Sequence, residues 1–277
     1  MLILAKATMA MMLGFVLSIL TGILIIPWLR RLKAQQSVSL KISKSHLAKN
    51  GTPTLGGFIF IIPTIVTLIL LYFKGSIEIT SNLIILIIVF LSYAAIGFVD
   101  DYLKIKYKNN KGLKISTKFL CQLIIAIVFF YIFMKNGGKS VIEITSLGLV
   151  IPLGWTFGLF ILFLLVGTSN AVNITDGLDG LAGGLSAIAF FAFGLLSWNT
   201  TWMEGNQELA IFCFVLTGAL FGFLLFNTHP AKVFMGDMGS LSLGAALATI
   251  AILTRHELSL ALIGGVFVVE TLSSMIQ

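Results

Sequence analysis

The chain has 277 residues, of which 58% are hydrophobic and only 10% are charged, and its formal net charge is +7. A soluble domain averages about 25% charged residues, so this composition excludes an ordinary soluble enzyme. The two cysteines, Cys121 and Cys213, lie inside apolar runs, which argues against a disulfide framework or a zinc site. The composition therefore indicates a membrane protein.

Apolar runs almost free of charge recur along the whole chain, each close to the roughly 20 residues that a helix needs to cross a bilayer. They predict an all-α polytopic membrane protein with about nine transmembrane helices in one bundle. The predicted spans are residues 7–29, 56–73, 83–99, 119–134, 149–169, 180–198, 209–226, 239–254 and 258–276.

Most of the 18 lysines and arginines fall in the loops that follow the first and third predicted spans. The positive-inside rule places these loops in the cytoplasm and the N-terminus outside. On the opposite side, segments 140–144 and 149–153 flank a short polar turn and predict an external β-hairpin.

The acidic residues are divided between the two faces. All five aspartates fall in predicted cytoplasmic loops, whereas the glutamates lie at or near the opposite face or, for Glu270, within the last span. Aspartates that only capped helices would be expected on both faces. We therefore expect carboxylates from three loops to converge around one divalent cation at the cytoplasmic face. The five aspartates are Asp100, Asp101, Asp176, Asp179 and Asp237.

Two early segments offer ligands for phosphate or metal. Residues 49–57 read Lys-Asn-Gly-Thr-Pro-Thr-Leu-Gly-Gly, which offers a lysine, hydroxyls and a permissive backbone, although a plain turn before a helix fits equally well. Asp100 and Asp101 are adjacent carboxylates that repel each other unless a cation is near, and Mg²⁺ prefers such oxygen ligands. A solvated acidic cap beside basic neighbours is the simpler alternative for this pair.

Two later segments are polar where a span should be apolar. Asn170, Asn173, Asp176 and Asp179 recur at every third residue, which predicts one polar helical face. Polar groups at membrane depth are costly and tend to mark a functional site. Residues 226–240 add two polar groups, an aromatic ring that could stack on a base, and a carboxylate just before a helix. These residues are Asn227, Lys232, Phe234 and Asp237.

Taken together, these segments resemble those of the phospho-N-acetylmuramoyl-pentapeptide transferase family, within the polyprenyl-phosphate N-acetylhexosamine-1-phosphate transferase superfamily. Residues 51–57 and 173–179 favour the muramoyl branch over the N-acetylglucosamine branch. The resemblance implies Mg²⁺-dependent transfer of phospho-N-acetylmuramoyl-pentapeptide from UDP-MurNAc-pentapeptide to undecaprenyl phosphate. This reaction gives lipid I and UMP, the first membrane step of peptidoglycan synthesis, in the bacterial cytoplasmic (inner) membrane.

Two other functions were weighed. Transfer of N-acetylglucosamine-1-phosphate to the same lipid is the alternative enzyme activity. A multi-spanning transporter is disfavoured because transporters carry ionisable groups near mid-membrane, whereas these aspartates lie at predicted helix ends. The resemblance implies membrane lipid as a partner and no nucleic acid, and it leaves a homodimer open.

The resemblance also implies roles for individual residues. Asp237 would be the principal Mg²⁺ ligand, with Asp100 and Asp101 as an essential pair near the lipid phosphate; all three are the expected catalytic and metal residues. The expected substrate-binding residues are Lys49, Thr54, Lys104, Asn170, Asn173, Asp176, Asp179, Asn227, Lys232 and Phe234.

One feature departs from the family pattern. Family members continue through a segment with three consecutive histidines and then a tenth helix. This chain stops at Gln277, and its only histidines are His46, His229 and His256. We therefore expect residues 1–277 to form a single transmembrane transferase domain that lacks those two elements.

Overall fold

The computed structural model describes residues 2–32, 52–108, 111–144, 148–198 and 206–276. Within these ranges the chain forms ten helices and one two-stranded antiparallel sheet. The helices are α1 (Leu2–Arg31), α2 (Phe58–Phe73), α3 (Ser81–Tyr107), α4 (Ile115–Lys135), α5 (Thr156–Thr175), α6 (Leu181–Trp198), α7 (Gln207–Asn227), α8 (Gly236–Leu253), α9 (Glu257–Ile263) and α10 (Gly265–Ile276). The strands are β1 (Val141–Ile144) and β2 (Leu149–Pro152).

The predicted all-α membrane architecture is confirmed. In the described part of the chain, seven helices are long and apolar enough to cross a membrane. Helices α9 and α10 meet at a bend of 61° and make an eighth span if they are counted as one. Helix α2, which corresponds to the second predicted span, has 16 residues and is shorter than the other seven.

The predicted hairpin is also confirmed, with Val141 paired to Pro152 and Glu143 to Val150. The fifth predicted span was wrong at its start, because residues 149–152 form β2 and the helix begins only at Thr156. An apolar run of four residues fits a strand as well as a helix. Here Pro152 and Gly154 separate the strand from the helix that follows.

Helix α8 lies at the centre of the bundle. Every residue from Met238 to Leu253 is buried, and the helix packs mainly against α3 and α5. Lipid tails are as apolar as leucine, so helices in a membrane associate through close packing, which small residues allow. The sequence of α8 is rich in glycine, alanine and serine. The first turn of α8, which carries Asp237, is therefore held firmly by its neighbours.

The connectivity brings several helix termini to one end of the bundle. Contacts of Asp237 in the first turn of α8 show that the last turns of α3 and α5 and the first turn of α4 lie beside it. The hairpin lies at the other end, where Arg255, just after α8, donates hydrogen bonds to the carbonyls of Lys139 and Val141. The predicted site residues that the structure describes thus belong to a single end.

Candidate active site

Three carboxylates meet where α3 packs against the start of α8. One ligand oxygen from each of Asp100, Asp101 and Asp237 lies within 4.8 Å of the other two. Asp100 and Asp101 are buried, and the Asp237 side chain is 17% exposed. Asp237 is in the first turn of its helix, where the helix dipole favours negative charge. We call these three residues the carboxylate cluster.

Two lysines compensate the charge of the carboxylate cluster. Lys104 Nζ lies 2.6 Å from Asp100 Oδ2, 3.1 Å from Asp237 Oδ2 and 3.8 Å from Asp101 Oδ1. Lys118 Nζ, which comes from α4, lies 2.6 Å from Asp237 Oδ2. With all five groups charged, the formal sum is −1, so the site can still accept a cation.

Lys118 is the site residue that the sequence analysis missed. It is one of several lysines in the same basic stretch, and no motif distinguishes it from Lys111 or Lys114. Its role depends on the packing of α4 beside α3 and α5, which a single sequence does not reveal.

Backbone amides hold the two adjacent aspartates apart. Asp101 Oδ2 accepts a hydrogen bond from the amide of Met238 at 3.1 Å, and Asp100 Oδ1 accepts one from the amide of Leu113 at 2.8 Å. Neighbouring helical residues diverge by about 100°, so the two side chains can reach different partners. One aspartate is thereby fixed to α8 and the other to the segment that leads into α4.

The close approach of α3 to α8 requires glycine at two positions. A Cβ atom at Gly97 would overlap the backbone carbonyl of Asp237, so α3 contacts the start of α8 directly. Gly236 has a φ of +72°, which L side chains rarely adopt, and a Cβ there would meet Asp101 Oδ2 and Thr54 Oγ1. These glycines explain how the carboxylates can come so close.

The end of the first loop pairs with the segment that precedes α8. Phe234 donates from its amide to the carbonyl of Pro53 at 2.9 Å, and its own carbonyl accepts from the amide of Gly56 at 2.8 Å. Thr54 is buried, and its Oγ1 lies with Asp101 Oδ2 beside Gly236, while Phe234 is half-buried in the segment just before α8. Lys49, predicted in the same motif, lies outside the described residues.

The polar face of α5 is divided between two depths. Asn173 Nδ2 donates to Asp237 Oδ1 at 2.9 Å and to Ser240 Oγ at 2.8 Å, so it borders the carboxylate cluster. Asn170 lies one turn deeper, and its amide donates to Gln122 Oε1 at 2.9 Å. Helix α5 ends at Thr175, so the prediction that the polar helical face continues through positions 176 and 179 is wrong.

Asp179 and Asn227 join two loops rather than the carboxylate cluster. Asp179 Oδ2 accepts from the amide of Ala231 at 3.2 Å and lies 3.0 Å from His229 Nδ1. Asn227 Oδ1 accepts from the amide of Gly180 at 3.1 Å, while its Nδ2 donates to the carbonyl of Val233 at 2.9 Å. These bonds attach the loop after α5 to the loop before α8.

Of the five aspartates that were expected to converge, three therefore lie together. Among the described residues, Asp176 and Asp179 are not part of the carboxylate cluster. Asp176 is half-buried just beyond the end of α5, and Lys232 is exposed. These residues lie on the loops around the cluster.

Comparisons with known proteins bear on what such a site does. A model of glycosyl transferase family 4 matches residues 82–255. The chain is 47% identical to a phospho-N-acetylmuramoyl-pentapeptide-transferase of Geobacillus thermodenitrificans over 268 residues, which cover 97% of this chain and 81% of that relative. It is 49% identical to the Bacillus subtilis protein of the same name over 266 residues, covering 96% and 81% respectively.

The chain belongs to the phospho-N-acetylmuramoyl-pentapeptide-transferase family. The resemblance inferred from its four motifs is thereby confirmed. The region matched by the glycosyl transferase model contains Asp100, Asp101, Lys104, Lys118 and Asp237. The carboxylate cluster therefore lies within the segment of this chain that the glycosyl transferase model matches.

The donor set of this family member is suited to a hard divalent cation. Mg²⁺ takes octahedral oxygen ligands at about 2.1 Å, so adjacent ligand oxygens lie about 3.0 Å apart and at most one pair is opposite, about 4.2 Å apart. The three carboxylate oxygens, which lie within 4.8 Å of one another, would have to move closer together to bind the ion. Lys104 Nζ, which contacts all three aspartates, lies where such a cation would bind. A divalent cation bound in place of the Lys104 ammonium would therefore replace a single positive charge with a double one.

Proposed function

We propose that this protein transfers phospho-N-acetylmuramoyl-pentapeptide from UDP-MurNAc-pentapeptide to undecaprenyl phosphate, releasing UMP and forming lipid I. The reaction would take place at the cytoplasmic face of the bacterial inner membrane. The observation that supports this function best is the carboxylate cluster with its two lysines at one end of a membrane-spanning bundle. A site at this end of the bundle would contact both a water-soluble nucleotide and the phosphate group of a membrane lipid.

The carboxylate cluster would hold Mg²⁺ through Asp100, Asp101 and Asp237. The ion would neutralise charge on the pyrophosphate and so make UMP a better leaving group. A cation among the carboxylates would replace the Lys104 ammonium, whose flexible side chain could then turn to a substrate phosphate. Lys118, already 2.6 Å from Asp237, would add a second fixed positive charge on the side of α4.

Phosphoryl transfer depends mainly on positioning and on neutralisation of charge. An oxygen of the lipid phosphate would attack the β-phosphorus of the nucleotide sugar. A new P–O bond forms there, and the bond from the β-phosphorus to the bridging oxygen breaks, so UMP leaves with that oxygen. A phosphate dianion is already a competent nucleophile, so we favour this direct attack over an intermediate in which an aspartate carries the phosphosugar. Asp100 or Asp101 would accept any remaining proton.

The other predicted residues would form the walls for the nucleotide sugar. Asn173 is hydrogen-bonded to Asp237, and the hydroxyl of Thr54 lies beside Gly236. Phe234 is half-buried two residues before Gly236, and its aromatic ring would stack on uracil. The exposed Lys232 is available to the peptide or to a phosphate.

Purified protein in detergent should be supplied with undecaprenyl phosphate, Mg²⁺ and either UDP-MurNAc-pentapeptide or UDP-N-acetylglucosamine, with release of UMP as the readout. We expect release with the muramoyl donor and little with the other. Release with UDP-N-acetylglucosamine alone would favour the sister activity. Absence of lipid product with both donors would refute the transferase function. Isolation of a phosphosugar bonded to an aspartate would refute direct attack only.

A further inference from the structure

A second polar layer lies deeper in the bundle than the carboxylate cluster, and Gln122 of α4 is at its centre. Gln122 is 1% exposed, and its Oε1 accepts a hydrogen bond from Asn170 Nδ2 of α5 at 2.9 Å. The backbone carbonyl of Gln122 accepts a hydrogen bond from the hydroxyl of Tyr93 on α3 at 3.3 Å. One residue therefore joins α3, α4 and α5.

Each of these helices also carries a residue of the carboxylate site on the same face. Gln122 follows Lys118 by four residues, and Asn170 precedes Asn173 by three, so each pair is separated by about one helical turn. Tyr93 precedes Asp100 by seven residues, which is about two turns. A shift of α4 along its axis at Gln122 would therefore be transmitted directly to Lys118.

Helix α4 has few fully buried residues that could fix its position. Its buried residues are Gln122, Ala126, Phe129 and Phe133, and only 22% of its span is buried, compared with 89% for α8. Helices in lipid associate through close packing and interhelical hydrogen bonds, and the hydrogen bonds are directional. Of these buried residues, Gln122 is the nearest in sequence to Lys118.

Burial of the Gln122 amide is unfavourable for folding, which indicates that this side chain does more than fill space. Among the described residues, its Nε2 has no hydrogen-bond partner. Burial of a donor without a hydrogen-bond partner is destabilising, and a methionine would fill nearly the same volume without that cost. The hydrogen bond that Oε1 accepts from Asn170 is the contribution that methionine could not make.

We propose that Gln122 is a positioning residue for the transfer reaction. Its hydrogen bond with Asn170 sets the register of α4, so that Lys118 Nζ reaches Asp237 Oδ2. Gln122 acts through Lys118 and does not touch the substrates. This inference rests on the proposed function for its kinetic test, and a separate test without turnover is given below.

The kinetic test is a double-mutant cycle on UMP release. Gln122→Met keeps the chain length and removes the amide, and we expect kcat to fall about ten-fold, because small displacements of a catalytic group cost rate steeply. In a Lys118→Met background the same change should cost less than two-fold, because the displaced group is already gone. If Gln122 had a purely structural role, the fold-losses in kcat of the two single variants would instead multiply in the double variant.

A control variant and a side-chain exchange complete the kinetic test. Thr249→Val removes a buried hydroxyl of α8 that bonds only within its own helix to Ala245, and it should leave kcat unchanged. The exchange Gln122→Asn with Asn170→Gln keeps the combined length of the two side chains, so it should recover part of the loss caused by Gln122→Asn alone. A Gln122→Met protein that keeps more than half of wild-type kcat would overturn the inference.

The test without turnover measures proximity directly. In a background with Cys121→Ala and Cys213→Ala, the pair Lys118→Cys and Asp237→Cys is treated with a short bifunctional thiol reagent. We expect Gln122→Met to slow cross-linking at least about five-fold relative to Thr249→Val, since a displaced α4 separates the two thiols. Equal rates would overturn the positioning role even if the proposed transferase activity were absent.

Discussion

Replacement of Lys118 by methionine should distinguish the specific contact of Lys118 with the carboxylate site from the general effect of positive charge on this face. Lys118 Nζ lies 2.6 Å from Asp237 Oδ2, and both side chains are about one-sixth exposed. A hydrogen bond to a charged group contributes about 1.5–3 kcal/mol. Asp237 keeps Lys104 at 3.1 Å and Asn173 at 2.9 Å, so part of its compensation survives. We therefore expect a loss of about 2–3 kcal/mol in transition-state stabilisation, or roughly 30- to 150-fold in kcat/KM.

Lys114→Met provides the matched control for this prediction. Lys114 lies one turn before Lys118 and is exposed, so its removal changes net charge equally without disturbing the site. Both variants should be assayed for UMP release in the same lipid mixture, with Lys118→Arg as the charge-preserving variant. We expect Lys114→Met to stay within two-fold of wild type and Lys118→Arg to recover part of the loss. Equal losses in the two methionine variants would show that only overall charge matters and would refute the reasoning.

Three further predictions follow from single contacts. Gly97→Ala should push α3 away from Asp237 and lower the free energy of unfolding by about 1–3 kcal/mol, measured by thermal unfolding. The control is Gly184→Ala, whose added Cβ would have no neighbouring atom within 4 Å and should cause no loss of stability. Asp237→Asn keeps the shape of the site but removes a charge, so the Mg²⁺ concentration for half-maximal rate should rise at least about ten-fold; an unchanged Mg²⁺ dependence would contradict the assignment. Asp179→Ala should lower the melting temperature more than His229→Ala, because Ala removes the acceptor of a loop amide, whereas His229 is 84% exposed and an exposed ion pair is worth under about 1 kcal/mol.

Much of the site could be predicted because its chemistry conflicts with a membrane. Asp100, Asp101 and Asp237 are rare charged residues beside apolar runs, and such groups remain only where something compensates them. The spacing of Asn170 and Asn173 likewise predicted a polar face on α5, and both side chains make hydrogen bonds to neighbouring helices. The order of the helices followed from the apolar runs, but nine spans were predicted, and the described residues contain seven helices long enough to cross a membrane, or eight if α9 and α10 count as one.

Other features depend on contacts that periodicity does not encode. Lys118 is one lysine in a basic stretch, and only the packing of α4 brings it to Asp237. Residues 149–152 are apolar in both the predicted helix and the observed strand, so the pattern could not choose between them. Gln122 lies in an apolar run as a single amide, and its importance becomes apparent only when Asn170 is seen to bond to it.

The depth of the carboxylate cluster supports chemistry at a surface rather than transport across the bilayer. Helix α3 has 27 residues, and Asp100 is 19 residues beyond its first residue, Ser81. At 1.5 Å per residue, this places Asp100 about 28 Å along the helix, close to the full thickness of a hydrocarbon core of about 30 Å. A transporter binds its cargo near the midplane, where alternating access requires it. A cluster near the end of α3 would instead lie close to the membrane surface, where the soluble nucleotide sugar and the lipid acceptor of the proposed reaction could both reach it.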